Sequence, residues 1–224
     1  MKETGTLTLS EELFLLTLSE KKSSVEASSA QALPVGLVGA MLVDLLAIGK
    51  IGLGEGERVS LSSPSPTENE CYNYILGKIE KANKPKKLAY WVENLSAKPA
   101  KLEKRLVASL IEKKILKEKK KKLLWVLPYL DYSQADASAK FWRKRHIRAI
   151  ILAGEKVDAQ SAALLNLLKS CCLLEFLFTA DEIRYALKRS TELMKDASLP
   201  IAFMDMTDRV CAACLRVIEA GQLA

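Results

Sequence analysis

Lys98, Lys101, Lys104 and Arg105 place four cations within about two helical turns, and the i to i+4 spacing returns Lys101 and Arg105 to nearly the same side. A phosphate monoester is held by several donors converging on one headgroup, so this cluster is a candidate lipid-headgroup site. The same charges also fit a solvated face balanced by Glu93, Glu103 and Glu112. Further along, Lys119, Lys120, Lys121 and Lys122 run directly into Leu123 and the interfacial aromatic Trp125. At an anionic membrane each lysine contributes about 1 kcal/mol and a buried Leu or Trp adds an apolar anchor, which makes this run a candidate membrane-docking element. Strand alternation allows the other arrangement, in which Leu123 and Trp125 face a core and the lysines keep a turn soluble.

A third basic group, Lys140, Arg143, Lys144, Arg145 and Arg148 with Trp142 and His146, suits a helix that binds nucleic acid, and basic helices beside hairpins occur in winged-helix DNA binders. No specific recognition motif accompanies it, so a nucleic-acid-binding regulatory module is the alternative reading rather than the leading one. Cys211 and Cys214 form CxxC, and Cys171 adjoins Cys172. Both pairs lie in apolar helical stretches, and His146 is the only histidine, so packing cysteines are expected and neither a metal nor a cofactor is. GxSxG, HExxH, a P-loop and GxGxxG in a strand–helix setting are all missing, and the adjacent Glu11 and Glu12 point to different faces. The expectation is a binding protein with no catalytic residues.

The elements that must carry these groups are mostly helical. Thr8 with Glu11 fits a capping box, and Leu9, Leu13 and Leu16 follow at helical spacing, which predicts a first helix over 9–18. A second helix over 35–48 is apolar on nearly every side, with small residues at Gly36, Gly39 and Ala40, Asp44 as its single charge and Gly49 as its C′ residue. Ser23 to Pro34 reads as the loop between them. Residues 50–53 and 58–61 flank Gly54–Glu55–Gly56 as a short hairpin.

Helices are then expected over 70–81, 87–95 and 99–114, the last with Pro99 in its first turn and a Leu102, Leu106, Leu110 stripe. Residues 115–117 and 123–127 bracket a second, strongly basic hairpin. Helices over 141–152, 158–178, 181–196 and 201–220 complete the pattern, and no repeat period is visible.

Composition agrees with this. At 224 residues and 49% apolar content the chain can bury a sizeable core, while Leu, Ala, Lys and Glu favour helix over an aromatic content of only 6%. The predicted fold class is mainly α, a single compact domain over 1–224 with short β-hairpins, one projecting and basic, and with residues 1–6 as a tail. A net charge of +7, concentrated in two stretches, favours an anionic partner. Five cysteines, an odd number, suggest a reducing compartment. No basic–apolar–cleavage pattern precedes Leu7, and Asn166, Lys169, Ser170 and Glu175 interrupt the longest apolar run, so neither a signal peptide nor a spanning helix is expected.

Five stretches carry a resemblance. LTLSEELFLLTL at 7–18, GLVGAMLVDLLAIGKI at 36–51, YWVENLS at 90–96, KRLVASLIEKKIL at 104–116 and RAIILAG at 148–154 occur in the order and spacing of the Golgi phosphoprotein 3 family, which the chain resembles over nearly its whole length. That family includes a yeast vacuolar protein sorting counterpart and prokaryotic relatives. The resemblance implies a peripheral membrane adaptor that binds phosphatidylinositol 4-phosphate at the cytosolic face of the Golgi in eukaryotes. It also implies capture of the cytosolic tails of membrane enzymes, and self-association into homo-oligomers. Val38 stands where the family has an arginine in GLRG, and Ser29 where it has an aromatic residue. Ala100 and Glu103 stand at a further arginine pair, whose spacing Lys101 and Lys104 reproduce one residue later.

Overall fold

The structure is a computed structural model that describes residues 7–18, 32–118, 132–134, 137–195 and 198–222. Two helices form its centre, α1 (Leu9–Thr17) and α2 (Ala32–Ala47). Every residue of α1 is buried, the polar Ser10, Glu11, Glu12 and Thr17 included. The predicted capping box is present. Thr8 Oγ1 accepts from the Glu11 amide, and the Thr8 amide donates to Glu11 Oε2 at 2.8 Å.

A local box leaves other first-turn amides without partners, and in a buried helix water cannot supply them. Asp44 of α2 does so from across the core, accepting from the Leu9 and Ser10 amides at 3.3 Å each and from the Tyr72 hydroxyl at 2.7 Å. The remaining acids of α1 are also paired. Glu11 accepts from Ser109 Oγ and Lys113 Nζ, each at 2.6 Å, and Glu12 from Arg143 at 2.7 Å.

α2 begins three residues earlier than its apolar pattern indicated, with Pro34 inside the first turn. Proline fits there because first-turn amides have no intrahelical acceptor to lose. The helix ends as expected at Gly49, whose φ of 67° lets Lys50 donate to Leu45 O at 2.9 Å and Gly49 to Leu46 O at 3.0 Å. A sheet follows, β1 (Ile51–Leu53), β2 (Arg58–Leu61) and β3 (Lys86–Lys87), antiparallel in that order. The third strand was not foreseen, because two lysines carry no apolar alternation.

α3 (Glu70–Glu80), α4 (Leu88–Ser96) and α5 (Pro99–Glu112) come next, and Leu102, Leu106 and Leu110 of α5 are all buried as their spacing required. β4 (Leu116–Glu118) then pairs antiparallel with β5 (Tyr132–Gln134), Leu116 opposite Gln134. The partner expected from apolar content, 123–127, lies outside the described residues. Backbone register rather than hydrophobicity selects Tyr132–Gln134.

α6 (Ala137–Leu152) leads into α7 (Ala159–Ser170), α8 (Ala180–Leu193) and α9 (Ile201–Gln222). The single helix expected over 158–178 is two pieces. Cys172 adopts a left-handed φ of 56°, and Leu173 donates back to Leu168 O at 2.7 Å, closing α7 before a 3₁₀ turn at Leu174–Phe176. No proline or glycine marks that stop.

α9 lies against α2, α4 and α7, and α2 reaches it through a small residue: a Cβ added at Gly39 would sit 2.6 Å from Cys214 Sγ and 3.1 Å from Leu167 Cδ2. Gly36 is roomier, its nearest neighbour being Leu173 Cδ1 at 3.2 Å.

Three stability predictions follow from this packing. Gly39→Ala lowers stability by about 1–3 kcal/mol through overpacking, and Cys214→Ala in the same chain recovers part of that loss, as urea midpoints will show. Arg143→Met costs about 3 kcal/mol because it leaves Glu12 buried and unpaired, whereas Glu12→Gln/Arg143→Met costs less than Arg143→Met alone, a double-mutant cycle that isolates the ion pair.

The third concerns pH. Burial raises the Asp44 carboxyl from 3.8 to about 6, with its hydrogen bonds from Tyr72, Ser10 and Leu9 opposing the rise. The folded chain therefore binds the proton more tightly than the unfolded one, and Asp44 makes stability fall as pH rises between those two values. In Asp44→Asn this contribution is absent, so unfolding free energies measured across that window show the variant gaining on the wild type by up to about 3 kcal/mol.

Candidate functional site

The turn between α4 and α5 brings three lysines to the surface. Lys98 is the N-cap residue of α5 and makes no side-chain cap, while Pro99 opens the first turn. Lys98, Lys101 and Lys104 are exposed, and among the described residues none of them is engaged in an ion pair or a side-chain hydrogen bond. The N-terminal end of α5 adds the partial positive charge of its unsatisfied amides to theirs.

Arg105 is placed differently from the three lysines. It is half-buried, donates to Lys101 O at 2.8 Å and lays its guanidinium 4.7 Å over the Tyr74 ring of α3, so one of its faces is already covered. The three lysines form a cluster, and the arginine braces α5 against α3.

Beside this cluster lies a shallow recess, with room for no more than about one water molecule, between the start of α2, the end of α4 and the start of α5, walled by Pro34, Leu37, Val38, Leu95, Pro99 and Leu102, with Ser96 and Glu103 at its polar edge. Val38 and Glu103, which strict register in the resemblance sets against family arginines, both line it. Val38 is only 1% exposed, and burial pushes the Glu103 carboxyl above its ordinary value. None of the lysines lines the recess. It is too small to admit a phosphate, and the described residues around it present apolar walls and a carboxyl group instead of converging donors.

The remaining docking residues read from the sequence, Lys119, Lys120, Lys121, Lys122, Leu123 and Trp125, lie outside the described residues, as does Ser29. The described part of that hairpin is its base, β4 with β5.

The basic group on α6 is largely turned inward. Lys140 is buried and donates to Leu18 O, Arg143 holds Glu12 and contacts Ser161 Oγ at 3.1 Å, and Arg148 grips Glu182 through two bonds of 2.7 and 2.8 Å while also donating to Leu177 O. The Arg148 guanidinium and the Thr179 amide hold the Glu182 carboxyl down to about 2. His146 stands 3.5 Å from Asp158 and 3.9 Å from Glu155. The acids that hold Arg143 and Arg148, Glu12 and Glu182, lie far away in sequence, so local charge spacing carried no sign of them.

The cysteines pack. Cys71, Cys171, Cys211 and Cys214 are buried, and burial raises the Cys71 thiol to about 12 and the Cys211 thiol further. Among the described residues no group of three or more His, Cys, Asp or Glu side chains could hold a metal ion, and no helix is long and apolar enough to cross a membrane.

A search of curated proteins returned no match. The family model described as Golgi phosphoprotein 3 (GPP34) matches residues 9–210, which takes in α1, the whole of α2 with its small residues, the α4–α5 turn and the first part of α9. With that match over nearly its full length, the chain belongs to the Golgi phosphoprotein 3 family.

Proposed function

We propose that this chain is a noncatalytic peripheral membrane adaptor that docks on anionic bilayers at the cytosolic face of Golgi-type membranes and holds the cytosolic tails of membrane enzymes. Family membership supports the trafficking role. One observation carries the docking: Lys98, Lys101 and Lys104 stand in water at a helix N-terminus with no acidic partner among the described residues. Near a negatively charged leaflet each such lysine contributes about 1 kcal/mol, an attraction that acts without a shaped ligand site and that salt screens.

The headgroup chemistry follows from the recess. With Val38 in its wall and Glu103 at its edge, the α2–α5 junction offers no set of converging phosphate donors among the described residues, which supports binding of phosphatidylinositol 4-phosphate for its charge and not for its shape. Tail capture and self-association come to this chain from the family.

Flotation with vesicles tests the reading. The protein is expected to float with vesicles containing phosphatidylserine or phosphatidylinositol 4-phosphate, to about the same extent at matched surface charge, and to stay behind with neutral phosphatidylcholine. Lys101→Gln/Lys104→Gln lowers binding about thirtyfold, the size expected for removing two lysine charges near the surface. Absence of flotation at low salt would sink the proposal. A strong preference for phosphatidylinositol 4-phosphate at equal charge would show that a shaped headgroup site exists elsewhere on the molecule.

A further inference from the structure

Five cations lie on α6, and the structure divides them. Lys140, Arg143 and Arg148 are tied to Leu18 O, Glu12 and Glu182, while Ile147, Ile150 and Ile151 fill the core beneath. The other side of the helix has a different composition. Phe141 and Trp142 are each 58% exposed and Leu152 is 39% exposed; Arg145 is exposed too. At 3.6 residues per turn, Phe141, Trp142, Arg145, Ala149 and Leu152 fall within an arc of about 100°, a stripe running most of the length of the helix.

The two rings meet edge to face at 5.3 Å, and the Arg145 guanidinium lies 5.3 Å over the Trp142 ring. Among the described residues no carboxylate pairs with Lys144 or Arg145, and α6 itself contains no Asp or Glu. A solvent-facing helix side is ordinarily polar and of mixed charge. This one is aromatic, aliphatic and purely cationic.

We infer that the outward stripe of α6, with Phe141, Trp142 and Leu152 as apolar anchors and Arg145 as its cation, is a second membrane-contacting surface that lies in the headgroup layer of an anionic bilayer. The inference rests on the docking reading above and adds an element to it. A helix lying in the interface buries Trp, Phe and Leu at the acyl boundary and keeps arginine at the phosphates, and indole with its N–H favours that depth. A second copy of the chain is a poorer occupant. A two-fold contact through this stripe would set Arg145 facing its own counterpart with no acid in between. Nucleic acid is poorer as well, because three of the five cations are bound internally and too few remain to neutralise a run of phosphates.

The chain has three tryptophans, and Trp91 is buried, so Trp125→Phe leaves Trp142 as the exposed emitter. Trp125→Phe protein is mixed with phosphatidylserine vesicles containing phosphatidylcholine brominated on its acyl chain. Trp142 emission is expected to shift to the blue and to be quenched, and in Trp125→Phe/Trp142→Phe the residual Trp91 signal is expected to be insensitive to bromine. Phe141→Ala/Trp142→Ala, exposed replacements checked for an unchanged helical spectrum, lowers vesicle binding about a hundredfold, the loss expected when two aromatic side chains no longer leave water.

Flotation without quenching of Trp142 overturns the inference and leaves the docking reading intact. No flotation overturns both. Loss of oligonucleotide binding or of self-association in Phe141→Ala/Trp142→Ala, with vesicle binding unchanged, overturns it in favour of those partners.

Discussion

The contact of the Asp44 carboxylate with the first amides of α1 is the constraint on which the rest of the structure depends. A helix buried on every side must find acceptors for its opening amides inside the protein, and a capping box reaches only some of them. Asp44 completes the set from the middle of α2 and is itself held by the Tyr72 hydroxyl of α3. One side chain thus fixes the angle of α1 on α2 and the position of α3 beside both. The cost is a carboxyl group kept in a poorly hydrated place, which shows in its raised affinity for a proton.

Burying α1 has a second consequence, which is electrostatic. Glu11 and Glu12 enter the core with it, and each requires a cation with good geometry. Lys113, at the end of α5, and Arg143, on α6, meet that requirement. The three-dimensional charge map therefore differs from the linear one. Part of the basic excess neutralises the interior, and the surface keeps other cations, among them Lys98, Lys101 and Lys104 at the α4–α5 turn and Lys144 and Arg145 on α6. A net charge of +7 read along the chain overstates the α6 surface and represents the α5 turn fairly.

The same division explains what the sequence made legible. Short-range signals held: the Thr8–Glu11 box, Gly49 as a left-handed terminator, Pro99 in a first turn and the Leu102, Leu106, Leu110 stripe all depend on residues within a turn or two of each other. Features set at long range were not visible. Cys172 ends α7 in a backbone region that favours glycine, β3 is two lysines recruited by β2, and β4 pairs with Tyr132–Gln134. The candidate site followed the same rule. The spacing of Lys101 and Arg105 indicated a shared side, but only the position of Tyr74 on a neighbouring helix turns Arg105 away from the lysines.

The recess at Val38 shows why family and ligand need not travel together. α2 is defined by packing: Gly39 admits Cys214, and Val38 closes against the α4–α5 junction. An arginine at position 38 would need an acceptor or a bound anion to offset its desolvation, whereas valine needs neither, so exchanging one for the other alters the ligand site while leaving the helix contacts in place. Glu103 acts in the same direction, adding a carboxyl group beside Val38 at the edge of the recess. What survives such a change is the part of membrane attraction that requires no shape, namely open lysines at a helix N-terminus. On the docking reading proposed above, selectivity among membranes follows from how much anionic lipid they display rather than from which headgroup carries it.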